Sequence, residues 1–221
     1  MIDQIIRSKR KTIALIIQPD GRLLVRAPLR ASNEAIRTLV EKKAGWIKAK
    51  QELVRSTYSP LVPKRFVNGE GFWYLGTIYR LEIVKDTQPE LTLNGNFRLA
   101  KAALPKAHSV FERWYKQQAS EVLTQRVQRN ASQHGFRYTQ VKITSARMRW
   151  GSCSSRGTLS FAWRLVMAPL PVIDYVVVHE LVHLQEKNHS KEFWGKVKLL
   201  MPDYAQRRAW LQANGHTLSL A

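Results

Sequence analysis

Val172-Ile173-Asp174-Tyr175-Val176-Val177-Val178-His179-Glu180-Leu181-Val182-His183 is the stretch on which the reading of this 221-residue chain turns. Pro169 and Pro171 precede it and introduce a predicted helix running to about Lys187, Pro171 being tolerated near the first turn. Ile173, Val177, Leu181 and Leu184 supply a packed face that holds such a helix still. Residues four apart on a helix differ by about 40° in angle and one turn in height. The imidazoles of His179 and His183 can therefore reach one tetrahedral zinc ion, with nitrogen contacts of roughly 2.0 to 2.1 Å. Glu180, offset by about 100°, stands over an open coordination position instead of binding the ion. From there it can take a proton from zinc-bound water, whose acidity the metal raises by many orders of magnitude. The competing reading of both histidines is buried core residues satisfied by hydrogen bonds.

A catalytic zinc usually needs a third protein ligand beside its exchangeable water. His189, six positions after His183, is the candidate, with Glu192 as runner-up. Asn188 tolerates the left-handed conformation that would turn the chain, and Ser190 can cap the next helix. His108, His134 and His216 have no partners at metal spacing. Cys153 reads as a buried apolar thiol, with occupancy of the zinc in a resting state as the alternative.

Composition narrows the setting. Apolar residues make up 44% of the chain, enough for a real core. No run approaches the ~18 to 20 consecutive apolar residues that span a bilayer, so no membrane association is expected. Charge flanks the short apolar patch at the start, unlike a signal peptide. The single cysteine points to a reducing, cytoplasmic location. The net charge of +20 is unevenly spread: residues 1–55 carry 13 Lys/Arg against 5 Asp/Glu, and 101–169 carry 12 against 2. One reading of these blocks is a nucleic-acid or nucleotide partner, and the other is a solvated basic surface.

The organisation is that of an α+β protein. Lys11 to Gln18 and Leu23 to Ala27 read as a hairpin around Pro19-Asp20-Gly21. A helix capped at Ser32 or Asn33 follows to about Thr57, with Ile36, Leu39, Val40, Ala44, Ile47 and Leu53 at helical spacing. Phe72–Leu75 with Ile78–Val84, and Leu91–Leu93 with Phe97–Leu99, read as two further hairpins. Residues 1–104 are thus expected to form a β-rich N-terminal unit, and 105–221 the domain that carries the chemistry. In the latter, a helix from Ser109 to about Gln133 ends at Gly135. Strands at Val141–Met148 and Thr158–Val166, separated by a turn over Gly151–Gly157, precede the site helix, and a further helix begins at Ser190 and ends at Pro202.

Arg149-Trp150-Gly151-Ser152-Cys153, then Leu159 to Leu165, then Asp174 to His183, then Asn188-His189-Ser190 and Phe193-Trp194, together resemble the YgjP-like metallopeptidase family. Pro19-Asp20-Gly21, Trp46-Ile47 and Tyr74-Leu75-Gly76 also fit, so the similarity covers nearly the whole chain. The resemblance implies a catalytic core like that of the SprT-like and minimal zincin peptidases, with the site helix packed on an antiparallel or mixed sheet. It implies one zinc ion per chain, held by His179, His183 and His189, with Glu180 as general base. The third-histidine spacing equals that of metzincins, but Glu186 stands where they have glycine and no Met-turn follows.

Around the site, Thr158 to Trp163 is the candidate edge strand for an extended peptide, which places Thr158 and Ser160 among the substrate contacts. Arg147, Arg149 and Arg164 are candidates to bind a carboxylate or phosphate, or to steady an oxyanion, against structural salt bridging as the alternative. Tyr204 is a further oxyanion candidate, while Trp150 and Trp163 read as core. Three functions share these residues: a zinc peptidase acting on peptide or protein, a metal-dependent nucleoside triphosphate pyrophosphatase of the UTP type, and a non-catalytic zinc-containing nucleic-acid-binding protein. Proteins similar to the family have been described as pyrophosphatases. The third reading needs a fourth protein ligand, for which Cys153 is the available residue.

Overall fold

The computed structural model describes residues 2–18, 21–57 and 63–220, with side chains at 53–57 left aside. Contacts divide the chain into two compact units, 1–62 and 63–221.

In the first unit β1 (Gln4–Ser8), β2 (Ala14–Ile17) and β3 (Leu23–Pro28) form a sheet of order β1-β3-β2. β2 and β3 pair antiparallel as expected, Leu15 opposite Val25, and Gln18 N–H donates to the Arg22 carbonyl at 2.8 Å. Pro19 and Asp20 of the expected turn lie outside the described residues. β1 is parallel to β3 and was not expected; all five of its residues are exposed, so no alternation marks it. The expected single helix is two, α1 (Asn33–Lys42) and α2 (Ala44–Thr57), because the backbone leaves helical geometry at Lys43 (φ −105°, ψ 10°). Ser32 caps α1, its hydroxyl accepting from Ala35 N–H at 3.1 Å. Ile36 of α1 and Ile47 of α2 bury against Leu23, Val25 and Ala27; the side chain of Leu53 lies outside the described ones.

The second unit starts with β4 (Gly71–Tyr74), β5 (Thr77–Val84), β6 (Leu91–Asn94) and β7 (Asn96–Ala100), in order β4-β5-β7-β6. The long helix α3 (Ala107–His134) crosses this sheet and ends at Gly135, whose φ of 70° suits a residue without a Cβ. Phe72 stacks on Phe111 at 4.3 Å, and the Tyr115 hydroxyl donates to the Trp73 carbonyl at 2.6 Å. These hairpins therefore share one core with α3, and the boundary falls at 62/63 instead of the expected 104/105.

A second sheet holds β8 (Gln140–Thr144), β9 (Gly151–Cys153) and β10 (Thr158–Ala162), in order β8-β10-β9, followed by α4 (Leu170–Val182), α5 (Lys191–Leu200) and α6 (Tyr204–Asn214). With six α-helices and three sheets among the described residues, the protein is α+β. α4 is apolar nearly all round because it is buried nearly all round, with nine of its residues buried. Two anchors fix it. Arg126 of α3 grips Asp174 in a two-pronged ion pair through Nε and Nη2. At its entrance the β4–β5 turn docks, Leu75 and Gly76 N–H donating to the Val166 and Met167 carbonyls at 2.9 and 3.1 Å. A Cβ on Gly76 would stand 2.8 Å from Pro169, so only glycine fits there.

Candidate metal centre

α4 ends at Val182, a turn earlier than expected, and His183 is its C-cap. Leu184 and Gln185 N–H donate to the Leu181 and Val182 carbonyls, both at 3.0 Å, so the last turn tightens. The His183 Nδ1 lies 2.9 Å from the Glu186 carbonyl, which pins the turn to the ring. Asn188 is not left-handed: among the described residues only Phe66 and Leu75 combine a side chain with positive φ. Ser190 does cap α5, accepting from Phe193 N–H at 3.4 Å.

This path brings His179, His183 and His189 together, with all three donor atoms within 4.8 Å of one another. The His189 Nε2 stands 2.9 Å from that of His179 and 3.2 Å from that of His183. A carbonyl can only accept, so the contact to Glu186 puts the His183 proton on Nδ1 and a lone pair on Nε2. Each imidazole nitrogen offers a single in-plane site, and three converging on one another satisfy at most one hydrogen bond. Lone pairs aimed at a common point fit a cation, and nitrogens around a tetrahedral zinc stand roughly 3.3 Å apart. The donor set therefore fits a metal ion. Glu192, the runner-up, lies outside the cluster, its carboxylate held low by the Ser190 hydroxyl.

Burial, followed by the charges of His183, His189 and Arg208, pushes the His179 imidazole down to about 3. His189 is lowered too, chiefly by burial. A column of rings steadies it: His189 stacks on Trp194 at 5.7 Å, Trp194 on Tyr204 at 5.5 Å, and the Arg208 guanidinium lies 4.8 Å over Trp194. Phe193 packs on all three histidines.

Glu180 is only 5% exposed, and its Oε2 is buried without a hydrogen-bond partner. Burial pushes its carboxyl up to about 8, against the pull of the Arg149 guanidinium. It lies against Gly151 of β9, where a Cβ would come within 2.6 Å of its Cγ and Oε1. That glycine is needed for space, not for backbone freedom. The histidines, Glu180, β9 and Cys153 line one cleft of about 600 Å³. Cys153 is partly buried on the cleft wall, its thiol raised by burial and by Glu180.

The edge strand that lines the cleft is β9, not the expected Thr158–Trp163. β10 is bonded on both sides, Ser160 pairing with Lys142 of β8 and with Ser152 of β9, so Thr158 and Ser160 have no free ladder to offer. Three residues inside a glycine-containing turn are too short a strand for alternation to reveal. Arg164 is also spent elsewhere: its guanidinium donates to the Ala146 and Arg147 carbonyls at 3.2 and 3.0 Å and lies over Trp150. Arg147, Arg149 and Tyr204 do not line the cleft; Arg149 acts on Glu180 through its charge, and Tyr204 supports Trp194. Trp163 is core as expected, while Trp150 is half-buried.

Residues 11–214 match the family described as "YgjP-like, metallopeptidase domain". The chain belongs to the YgjP-like family. This YgjP-like domain is of the metal-dependent hydrolase class, and its histidine cluster is a donor set suited to the ion. Over 70 residues the chain is 34% identical to the UTP pyrophosphatase of Escherichia coli (strain K12), a match covering 30% of this chain and 42% of that protein. It thus spans under half the length of that curated relative. The metallopeptidase zymogen of Pyrococcus abyssi abylysin, seen in a crystal structure, is similar at a TM-score of 0.37 and 21% identity, over 41% of this chain and 93% of that one. So slight a likeness bears no weight. No helix of the described residues is long and apolar enough to cross a membrane.

Proposed function

We propose that this YgjP-like chain is a zinc peptidase in which His179, His183 and His189 hold the ion and Glu180 is the general base. The observation that carries the reading is the convergence of three ring nitrogens beside a buried carboxyl oxygen that has no partner. Zinc bound there supplies Lewis acidity and a positive charge that draws the Glu180 carboxyl back toward ionisation. Glu180 Oε2 then takes the proton of the attacking water and delivers it to the leaving amine. Arg149 favours the charged form that the first transfer requires. The half of β9 not bonded to β10 offers backbone groups to an extended substrate. The one cysteine supports a reducing, cytoplasmic setting.

The second reading, hydrolysis of a nucleoside triphosphate such as UTP, is favoured by the E. coli relative. The third loses its fourth ligand: among the described residues the cluster is the three histidines, without Cys153. Turnover decides between the first two. The zinc-loaded chain is expected to cut an unfolded protein such as casein, to stop on chelation, and to resume when zinc is restored. Release of pyrophosphate from UTP with casein left intact would replace the peptidase by the nucleotide hydrolase.

A further inference from the structure

The cleft carries charge well beyond its histidines. Arg137, Arg156 and Lys187 line it, and the acid among its lining residues is Glu180, sunk in the wall. The two arginines share one wall. Thr139, two residues after Arg137, donates its N–H to the Gly157 carbonyl at 3.0 Å and its hydroxyl to the Arg156 carbonyl at 3.1 Å. Lys187 belongs to the turn after α4, and Leu184 of that turn comes within 3.7 Å of where a Cβ on Gly157 would stand. All three cations are exposed, and none is in an ion pair among the described residues. Three exposed cations thus rim one cleft whose lining acid is buried.

We infer that the cleft is built for acidic peptides, with Arg137, Arg156 and Lys187 binding Asp or Glu side chains that flank the bond held at the histidine cluster. The inference rests on the peptidase reading above. β9 runs straight into the turn that bears Arg156, so a peptide laid along β9 extends toward that residue. A phosphate chain favours a nest of successive free backbone N–H groups. Three of this turn's amides are already taken: Ser154 N–H donates to the Thr158 carbonyl, Gly157 N–H to the Ser154 carbonyl, and Thr158 N–H to the Ser154 hydroxyl.

The test is binding of labelled peptides that share one core and differ only in Glu or Gln at the flanking positions, followed by fluorescence anisotropy. It uses the zinc-loaded full chain carrying Glu180→Gln, with and without Arg137→Ser, Arg156→Ser and Lys187→Ser together. The Glu peptide is expected to bind roughly 10-fold more tightly at low salt. That gap should close at about 1 M salt and in the triple variant, with zinc content unchanged. Equal binding of the Glu and Gln peptides, or a preference that survives the triple substitution, would overturn the subsite. Cleavage by the unmutated enzyme separates the two claims. Peptides cut without any acid preference retain the peptidase and overturn the subsite; acid-selective binding with no peptide cut retains the subsite and overturns the peptidase. UTP turnover without peptide binding overturns both.

Discussion

His179 sits on a helix that is buried on nearly every side, whereas His189 sits on an exposed turn six residues beyond His183. α4 is held by core packing, by the Arg126–Asp174 pair and by the docked β4–β5 turn, so its histidine and Glu180 are placed by the whole domain. The turn is held more locally, with Lys196 of α5 paired to its Glu186. Its ligand is located by the Ser190 cap, the Glu186 carbonyl on His183, and the Trp194–Tyr204–Arg208 column. One metal cluster thus combines a rigid wall and an adjustable one, and substitutions on the two sides should fail differently.

The largest effect is expected on the rigid side. Gly151→Ala puts a methyl into the space of the Glu180 carboxyl, and the side chain must swing away. Hydrolysis should drop about 100-fold or more while metal content stays, since the ligands are untouched. Full activity in that variant would show that the placement of Glu180 is not critical. On the adjustable side, Trp194→Ala removes the ring under His189. Metal affinity should fall roughly 10- to 100-fold, with helix content by circular dichroism unchanged. A drop in both alike would mean that the turn and α4 are a single mechanical unit.

A smaller effect separates the groups by pH in the metal-free chain. The Glu180 carboxyl, raised from 4.5 to about 8, contributes stability that is complete below its unfolded value and lost as pH rises through 8. The His179 imidazole, lowered from 6.5 to about 3, works in the opposite sense: its contribution is present above 6.5 and lost as pH falls toward 3. The two oppose each other below about pH 6.5, so the melting temperature of the metal-free protein should decline mainly between about pH 6.5 and 8, and decline less in Glu180→Gln. The same slope in both proteins would mean that Glu180 does not carry it.

The contrast between the two walls also explains what could be read in advance. Helical periodicity on α4 is a local property, so the shared face of His179 and His183 was legible from spacing, as was the cap at Ser190. The strands at Phe72–Val84 and Leu91–Leu99 were visible for the same reason. What escaped notice depends on residues distant in sequence. β9 is recognisable as an edge only once β10 is known to be bonded on both sides. Gly151 matters only because Glu180 arrives beside it, and Arg137, Arg156 and Lys187 meet only across the folded cleft. The boundary at 62/63 likewise reflects aromatic packing between Phe72 and Phe111, nearly forty positions apart. The helix end at Val182 is not legible in the sequence because nothing in Leu184-Gln185-Glu186-Lys187 forbids a helix; the hold of His183 on the Glu186 carbonyl accompanies the stop.

The most direct test of the metal centre is zinc content by mass spectrometry on the purified chain beside His183→Ala and Glu180→Gln. The expected result is near one zinc per chain in the unmutated protein and in Glu180→Gln, which should nevertheless lose about 100- to 10,000-fold in hydrolysis, and none in His183→Ala. No metal in the unmutated protein after zinc reconstitution, or equal metal in all three, would contradict the assignment of the histidine cluster.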